Sequence, residues 1–227
     1  MIIITGASKG IGLYLMGEFI REEQDVIGLF NSTAPNKNVG SMRRVDVADP
    51  ADVAAFAAAI KKRNGSKMVL INCAGVNYNA LAHKADPARW ARLITVNLVG
   101  TFHVINALLP MMREQRYGRI INLSSVVAQK AVPGTSAYAA SKAGLWGMTR
   151  AIAAENADRG ITINNINLGY FDIGMISDVP TELREEVKRA IPSRALGEPS
   201  EILTTIKYLI SCGYITGTSI DVNGGLY

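Results

Sequence analysis

Thr5-Gly6-Ala7-Ser8-Lys9-Gly10-Ile11-Gly12 lies between the apolar run Ile2–Ile4 and an amphipathic stretch over residues 11–23. The order is strand, glycine-rich turn, helix, the context in which such a loop can hold a dinucleotide. Glycine lets the backbone turn and approach a pyrophosphate, and the helix start offers free N–H groups and a positive dipole end. Gly6, Ser8, Lys9, Gly10, Ile11 and Gly12 are therefore candidate cofactor residues.

Outward from this loop, short apolar runs alternate with longer amphipathic ones. Ile2–Ile4, Val26–Phe30, Arg44–Val47, Met68–Ile71, Arg119–Leu123, Thr162–Ile166 and Ser219–Val222 read as strands. Helices are predicted near 11–23, 51–63, 87–114, 137–158 and 199–211. Asp49-Pro50 and Asp86-Pro87 have the form of an N-cap followed by an N1 proline, and Gly160 that of a helix stop. This alternation predicts an α/β protein: one Rossmann-type domain over residues 1–227. Its doubly wound parallel sheet should have about seven strands, with helices on both faces. Asn31 to Met42 reads as a loop where another helix would be usual. Gly169 to Pro180 is a candidate substrate lid, followed by a short charged helix over 181–190.

The 227 residues suffice for one sizeable core, and 48% hydrophobic with 19% charged residues fits a compact protein. The formal charge of +5 suits a phosphate-bearing ligand or an acidic partner. There is no Lys/Arg-rich run interleaved with aromatics, so nucleic acid is not expected. Cys73 and Cys212 suggest no disulfide framework, and with only His83 and His103 no metal site is expected. The opening Met1-Ile-Ile-Ile-Thr5 is too short for a secretory apolar core, so cytoplasmic residence is expected. Leu93–Met112 carries no formal charge and raises a membrane reading. Asn97, Gly100, His103 and Asn106 within it favour a fully buried helix of a soluble protein instead, with no membrane association expected.

Tyr138-Ala-Ala-Ser-Lys142 places a phenol and an ammonium at i and i+4 of a predicted helix, on one face. A fixed cation favours the phenolate, so Lys142 is expected to lower the pKa of Tyr138. Such a tyrosine can exchange a proton with a substrate oxygen. Ser125, thirteen residues upstream, can hydrogen-bond the same oxygen, with Ser124 the alternative. The second strand ends Gly28-Leu29-Phe30-Asn31-Ser32-Thr33, without the acid that usually holds a ribose 2′-hydroxyl. Lys9, Asn31, Ser32 and Thr33 offer a cation and neutral donors for a 2′-phosphate instead. NADP(H) is the expected cofactor.

Together these motifs resemble the short-chain dehydrogenase/reductase family over essentially the whole chain. Further matching pieces are Asp46-Val47, Asn72-Cys73-Ala74-Gly75, Asn97 in Val96-Asn97-Leu98, Tyr214-Ile215-Thr216-Gly217 and Val222-Asn223-Gly224-Gly225. The resemblance implies that Asp46 and Val47 meet the adenine, and that Asn72, Ala74 and Gly75 line the cofactor near its ribose. It implies that Asn97, Ser125, Tyr138 and Lys142 are catalytic, with Lys142 also binding the nicotinamide ribose. Asn97 would interrupt its helix and hold a water that relays protons to Lys142, or simply cap or kink that helix. Cys73 stands where the family often has Asn and reads as a small buried residue. Leu168 and Ile173 replace the family's usual Pro and Thr.

The nearest members are the 3-oxoacyl-acyl-carrier-protein reductases of fatty acid biosynthesis. That likeness implies an acyl substrate on acyl carrier protein, with Arg116 and Arg159 receiving the carrier. It also implies a homotetramer formed through the helices near 87–114 and 137–158. Competing readings are an oxidoreductase of another small ketone, sugar or secondary alcohol, and a nucleotide sensor without turnover. The intact Asn97, Ser125, Tyr138 and Lys142 argue against the sensor.

Overall fold

In the computed structural model, seven parallel strands form one sheet in the order β3-β2-β1-β4-β5-β6-β7. The structure describes residues 1–33, 40–63, 67–174, 176 and 180–227. The strands are β1 (Ile2–Thr5), β2 (Val26–Phe30), β3 (Ser41–Arg44), β4 (Val69–Asn72), β5 (Gly118–Ser125), β6 (Ile161–Leu168) and β7 (Ser219–Val222). The helices are α1 (Gly10–Arg21), α2 (Pro50–Ile60), α3 (Pro87–Ile94), α4 (Gly100–Gln115), α5 (Ser136–Asn156), α6 (Thr181–Ala190) and α7 (Pro199–Ser211). This is the doubly wound α/β architecture expected from the alternation.

Strand side chains point alternately to opposite faces, so a continuous apolar strand feeds two cores. Ile2 and Ile4 of β1 pack with Leu15, Met16 and Phe19 of α1 and Ile202 and Ile206 of α7. Ile3 points the other way, into a cluster with Phe56 of α2, Val104 and Leu108 of α4 and Ile152 of α5. Asp49 and Asp86 cap α2 and α3 as expected, accepting from the N–H of Ala51 and Ala88. Gly160 adopts the left-handed conformation (φ +70°) after α5 and the 3-10 turn that follows it.

Three expectations need correction. The third strand is Ser41–Arg44, not Arg44–Val47. Being at the sheet edge, β3 tolerates polar exposed residues, while the buried Val45 and Val47 follow it and join the core. The Asn31–Met42 loop accordingly stops at Ser41, and residues 34–39 lie outside the described chain. Finally, the helix expected over 87–114 is α3, a π-helical segment at Thr95–Val99, and α4, which runs on past Pro110. This run is long and apolar enough to cross a membrane, yet it is not fully buried either. Val104, Leu108 and Met112 enter the core, whereas Val99 and Phe102 are exposed.

A polar row crosses the sheet at the level of the last residues of β1 and β4. The register aligns Thr5, Asn72, Asn122, Asn165 and Ser219 on β1, β4, β5, β6 and β7. Asn72 donates to Asn122 Oδ1 (2.8 Å), Asn122 to Asn165 Oδ1 (3.2 Å), and Asn165 to Ser219 Oγ (3.0 Å). Thr149 of α5 closes the network by donating to Asn165 Oδ1 at 2.8 Å. Buried amides are costly unless paired, so the row holds four strands in one register directly beneath the site.

Candidate active site

The order in which strands join the sheet reverses at β1 and β4, with β2 and β3 laid to one side and β5 to β7 to the other, and the crevice above such a switch point is where doubly wound sheets take ligands. Thr5 closes the floor, its Oγ1 accepting from the N–H of Cys73 (3.1 Å) and Ala74 (3.0 Å). Above it opens a cleft of about 1310 Å³. Its lining includes Gly6, Ser8, Lys9, Gly10, Ile11 and Gly12 of the glycine loop, with Gly75, Ser125, Tyr138 and Lys142, and Asn77, Asn79, Val132, Tyr170 and Ile176.

The glycine loop is folded too tightly for side chains. Gly6 has φ +65°, and a Cβ there would lie 2.8 Å from the Ala74 backbone. A Cβ on Gly12 would lie 2.3 Å from the Gly6 carbonyl oxygen. The first turn of α1 has no acidic residue and Lys9 makes no side-chain cap, so its N–H groups are not claimed by side chains. Glycine backbone, free amides and a nearby cation suit the pyrophosphate of a dinucleotide, so the residues fit the expected cofactor.

Ser125 ends β5, and the following 3-10 turn bends the chain so that α5 returns Tyr138 and Lys142 into the same cleft. Ser124 is not equivalent: its hydroxyl is buried and donates to the Lys142 carbonyl oxygen at 3.2 Å. The Lys142 ammonium sits 5.5 Å from the centre of the Tyr138 ring and donates to the Leu123 carbonyl at 2.6 Å. Burial pushes the Tyr138 phenol up to about 12, opposed by its hydrogen bond with Ser125. The expectation of a lowered tyrosine pKa is thus overturned in this state, because loss of water penalises the phenolate more than its neighbours favour it. Tyr138 is held as a phenol, the form that can donate a proton. Cys73, also in the cleft, is pushed up to about 12 by burial, with Lys142 pulling the other way. It stays a thiol.

Burial likewise pulls Lys142 down to about 8 from 10.5, with Cys73 opposing. Below pH 8 the folded protein carries a charged, poorly hydrated ammonium. Between about 8 and 10.5 the unfolded chain holds more protons, so stability rises with pH there. Lys142→Met should therefore raise the melting temperature at pH 7, and the advantage should shrink by pH 10. Thermal unfolding at both values checks this. A variant less stable than wild type at pH 7 would mean that the ammonium stabilises the fold.

The other expected residues divide. Asn97 does interrupt its helix, lying in the π segment, but its side chain is committed. Its Oδ1 accepts from Val76 N–H (2.8 Å), and its Nδ2 donates to the Val76 carbonyl (2.9 Å) and Ser141 Oγ (3.3 Å). Its side-chain amide thus pins the cleft wall at Val76 and the helix of Tyr138. Asp46 accepts from Ala48 N–H and pairs with Arg92 at 3.4 Å, and Val47 is buried in the core. Neither lines the cleft, nor do Asn72, Ala74 or Asn31–Thr33. The latter three residues occupy the rim after β2. Gly174 and Ile176 of the expected lid line the cleft, while residues 175 and 177–179 lie outside the described chain.

Arg116 and Arg159 do meet, around Asp158: Arg116 donates to its carbonyl (2.9 Å) and Arg159 pairs with its carboxylate (3.4 Å). They precede β5 and β6, however, at the end of the sheet opposite Ser125. Within one chain they do not border the cleft.

Two features were missed by sequence reasoning. Arg44 lies beside the β2 rim, its Nε donating to the Asn31 carbonyl at 3.2 Å. Only the pairing of Phe30 with Arg44 reveals this, and register is not legible in one chain's sequence. Asn77 and Asn79 line the cleft with no side-chain hydrogen bond among the described residues. Tyr78 between them is held away, its hydroxyl accepting from Asp86 N–H and its ring under Arg89.

A family profile described as Enoyl-(Acyl carrier protein) reductase matches residues 6–227. The chain is 35% identical to the 3-oxoacyl-acyl-carrier-protein reductase FabG of Staphylococcus aureus, over 99% of this chain and 97% of the relative. It is 41% identical to the acetoacetyl-CoA reductase of Rhizobium meliloti, over 70% of this chain and 67% of that protein. A crystal structure of a putative gluconate dehydrogenase from Agrobacterium tumefaciens superposes with a TM-score of 0.89 at 26% identity, covering 100% of this chain and 95% of the other.

Proposed function

Because the chain belongs to the short-chain dehydrogenase/reductase family of oxidoreductases, we propose that it reduces the ketone of a 3-oxoacyl thioester to a secondary alcohol with NADPH. The acyl group would be carried on acyl carrier protein. The observation that carries the reduction is the half-buried phenol of Tyr138, beside Ser125 and Lys142 in the cleft. The relatives named for 3-oxoacyl and acetoacetyl reduction support the substrate class.

A bound nicotinamide supplies the hydride for the carbonyl carbon. Ser125 donates a hydrogen bond to the carbonyl oxygen and orients it. Tyr138 gives that oxygen its proton, and Lys142 replaces the lost proton from its ammonium. Asn97 holds Val76 and Ser141 and so fixes the spacing between the cleft wall and Tyr138. The glycine loop takes the pyrophosphate, and Lys142 the nicotinamide ribose. We assign the 2′-phosphate to Lys9, Arg44 and the donors at Asn31–Thr33. Assembly as a homotetramer and a contact of Arg116 and Arg159 with the carrier belong to the same reading.

Following NADPH absorbance with acetoacetyl-CoA tests the reaction. Rapid oxidation supports it. No oxidation, with NADPH still bound, favours the second reading, a sugar or other small secondary alcohol. That reading draws on the carboxamides of Asn77 and Asn79, which have no hydrogen bond among the described residues, and on the likeness to the putative gluconate dehydrogenase. For the nucleotide, fluorescence titration should show NADPH binding at least about tenfold tighter than NADH, since a charge-assisted hydrogen bond is worth roughly 1.5–3 kcal/mol. Arg44→Ala should narrow that gap. Tighter NADH binding by the wild-type protein would reject the assignment.

A further inference from the structure

A second pocket of about 490 Å³ adjoins the cleft, sharing Val127, Val132 and Thr135 with it. Two straps build it. One, after β5, carries Gln129 and Lys130, and the other, before α3, carries Ala80 and Ala82. A hydrogen bond from Ala80 N–H to the Gly134 carbonyl (2.9 Å) joins them, so the pocket is a formed feature.

Its charge is one-sided. Residues 74–85 and 126–136 contain Lys84, Lys130 and His83 but no Asp or Glu. The nearby carboxylates are engaged: Asp86 caps α3, and Asp221 accepts from Gln129 (3.5 Å) and Asn167 (2.8 Å). Lys130 is half-buried in the pocket wall, and its ammonium has no ion pair or hydrogen bond among the described residues. A half-buried cation with no counter-charge among the described residues, in a pocket adjoining the cleft, favours an anionic ligand.

We propose that this pocket receives the phosphate of a phosphopantetheine arm, with Lys130 as its principal ligand. Val127, Val132 and Thr135 then flank the pantetheine between that phosphate and the ketone at Ser125 and Tyr138. The inference rests on the acyl-thioester reading and adds to it the means by which the arm, rather than the acyl chain, is recognised.

The test compares three acetoacetyl thioesters, of CoA, of holo acyl carrier protein and of N-acetylcysteamine, the last having no phosphate. Lys130→Ala should raise KM for the first two about five- to tenfold, the scale of one half-exposed charge-assisted contact, with kcat little changed. The KM for the N-acetylcysteamine ester should not follow, and Lys130→Arg should restore most of the difference. Added salt should raise the wild-type KM for the CoA ester and have little effect on the alanine variant. Equal changes for all three esters, or no change for any, would overturn the pocket assignment alone. An effect confined to the CoA ester would also overturn it, because the phosphate read would then lie in the nucleotide part of CoA. If the wild type reduces none of the three but does reduce another ketone, the thioester reading fails first and the pocket assignment falls with it.

Discussion

Tyr138→Phe should fold, bind NADPH with near wild-type affinity, and lose about a thousandfold in kcat, within the ~10²–10⁴ typical of a positioned proton donor. The substitution removes one oxygen and keeps the ring against Lys142. It deletes a half-buried hydroxyl whose hydrogen-bond partner is Ser125, so little stability should be lost. Ser125 remains to orient the carbonyl, which accounts for residual turnover. Stopped-flow reduction together with a coenzyme titration separates the two effects. Activity within a few-fold of wild type would place the proton donor elsewhere, and a parallel loss of coenzyme affinity would make the role structural.

Gly12→Ala should have an effect of comparable size through a different physical cause. Its Cβ would meet the Gly6 carbonyl oxygen at 2.3 Å, with the Gly6 carbonyl carbon at 2.9 Å and Ala7 Cα at 3.1 Å. These are backbone atoms of the loop itself, so relief requires the loop to open. Overpacking of this kind costs about 1–3 kcal/mol, and the displaced amides should weaken NADPH binding by about a hundredfold or more. Gly17, five residues on in the same helix, is the control. A Cβ there meets nothing within 4 Å, and alanine should stabilise α1 by about 0.5–1 kcal/mol. Denaturant melts and NADPH titrations of both variants decide the matter. If Gly12→Ala bound NADPH normally, the loop would not be the pyrophosphate cradle.

The alternation of short apolar runs with amphipathic stretches predicted the parallel sheet and most of its helices, because both periodicities are written into side-chain order. Strand ends were less legible. Val45 and Val47 look like strand residues, yet the ladder places β3 on Ser41–Arg44, since an edge strand need not be apolar. Likewise, one uncharged stretch read as a single buried helix. The π segment at Asn97 and the exposed Phe102 arise from packing against neighbours that lie far away in sequence.

The candidate site divides along the same line. Local sequence was enough to determine the glycine loop and the pairing of Tyr138 with Lys142, because strand-to-helix turns and i, i+4 spacing are short-range geometry. Tertiary structure alone decided how those groups behave. Burial keeps Tyr138 a phenol where a neighbouring lysine alone would favour phenolate. It turned Asn97 inward as a brace, put Arg116 and Arg159 at the far end of the sheet, and brought Arg44 against the end of β2 at Asn31. The physical reason is that desolvation, strand register and sheet polarity depend on neighbours brought together by folding. No single segment of the chain contains them.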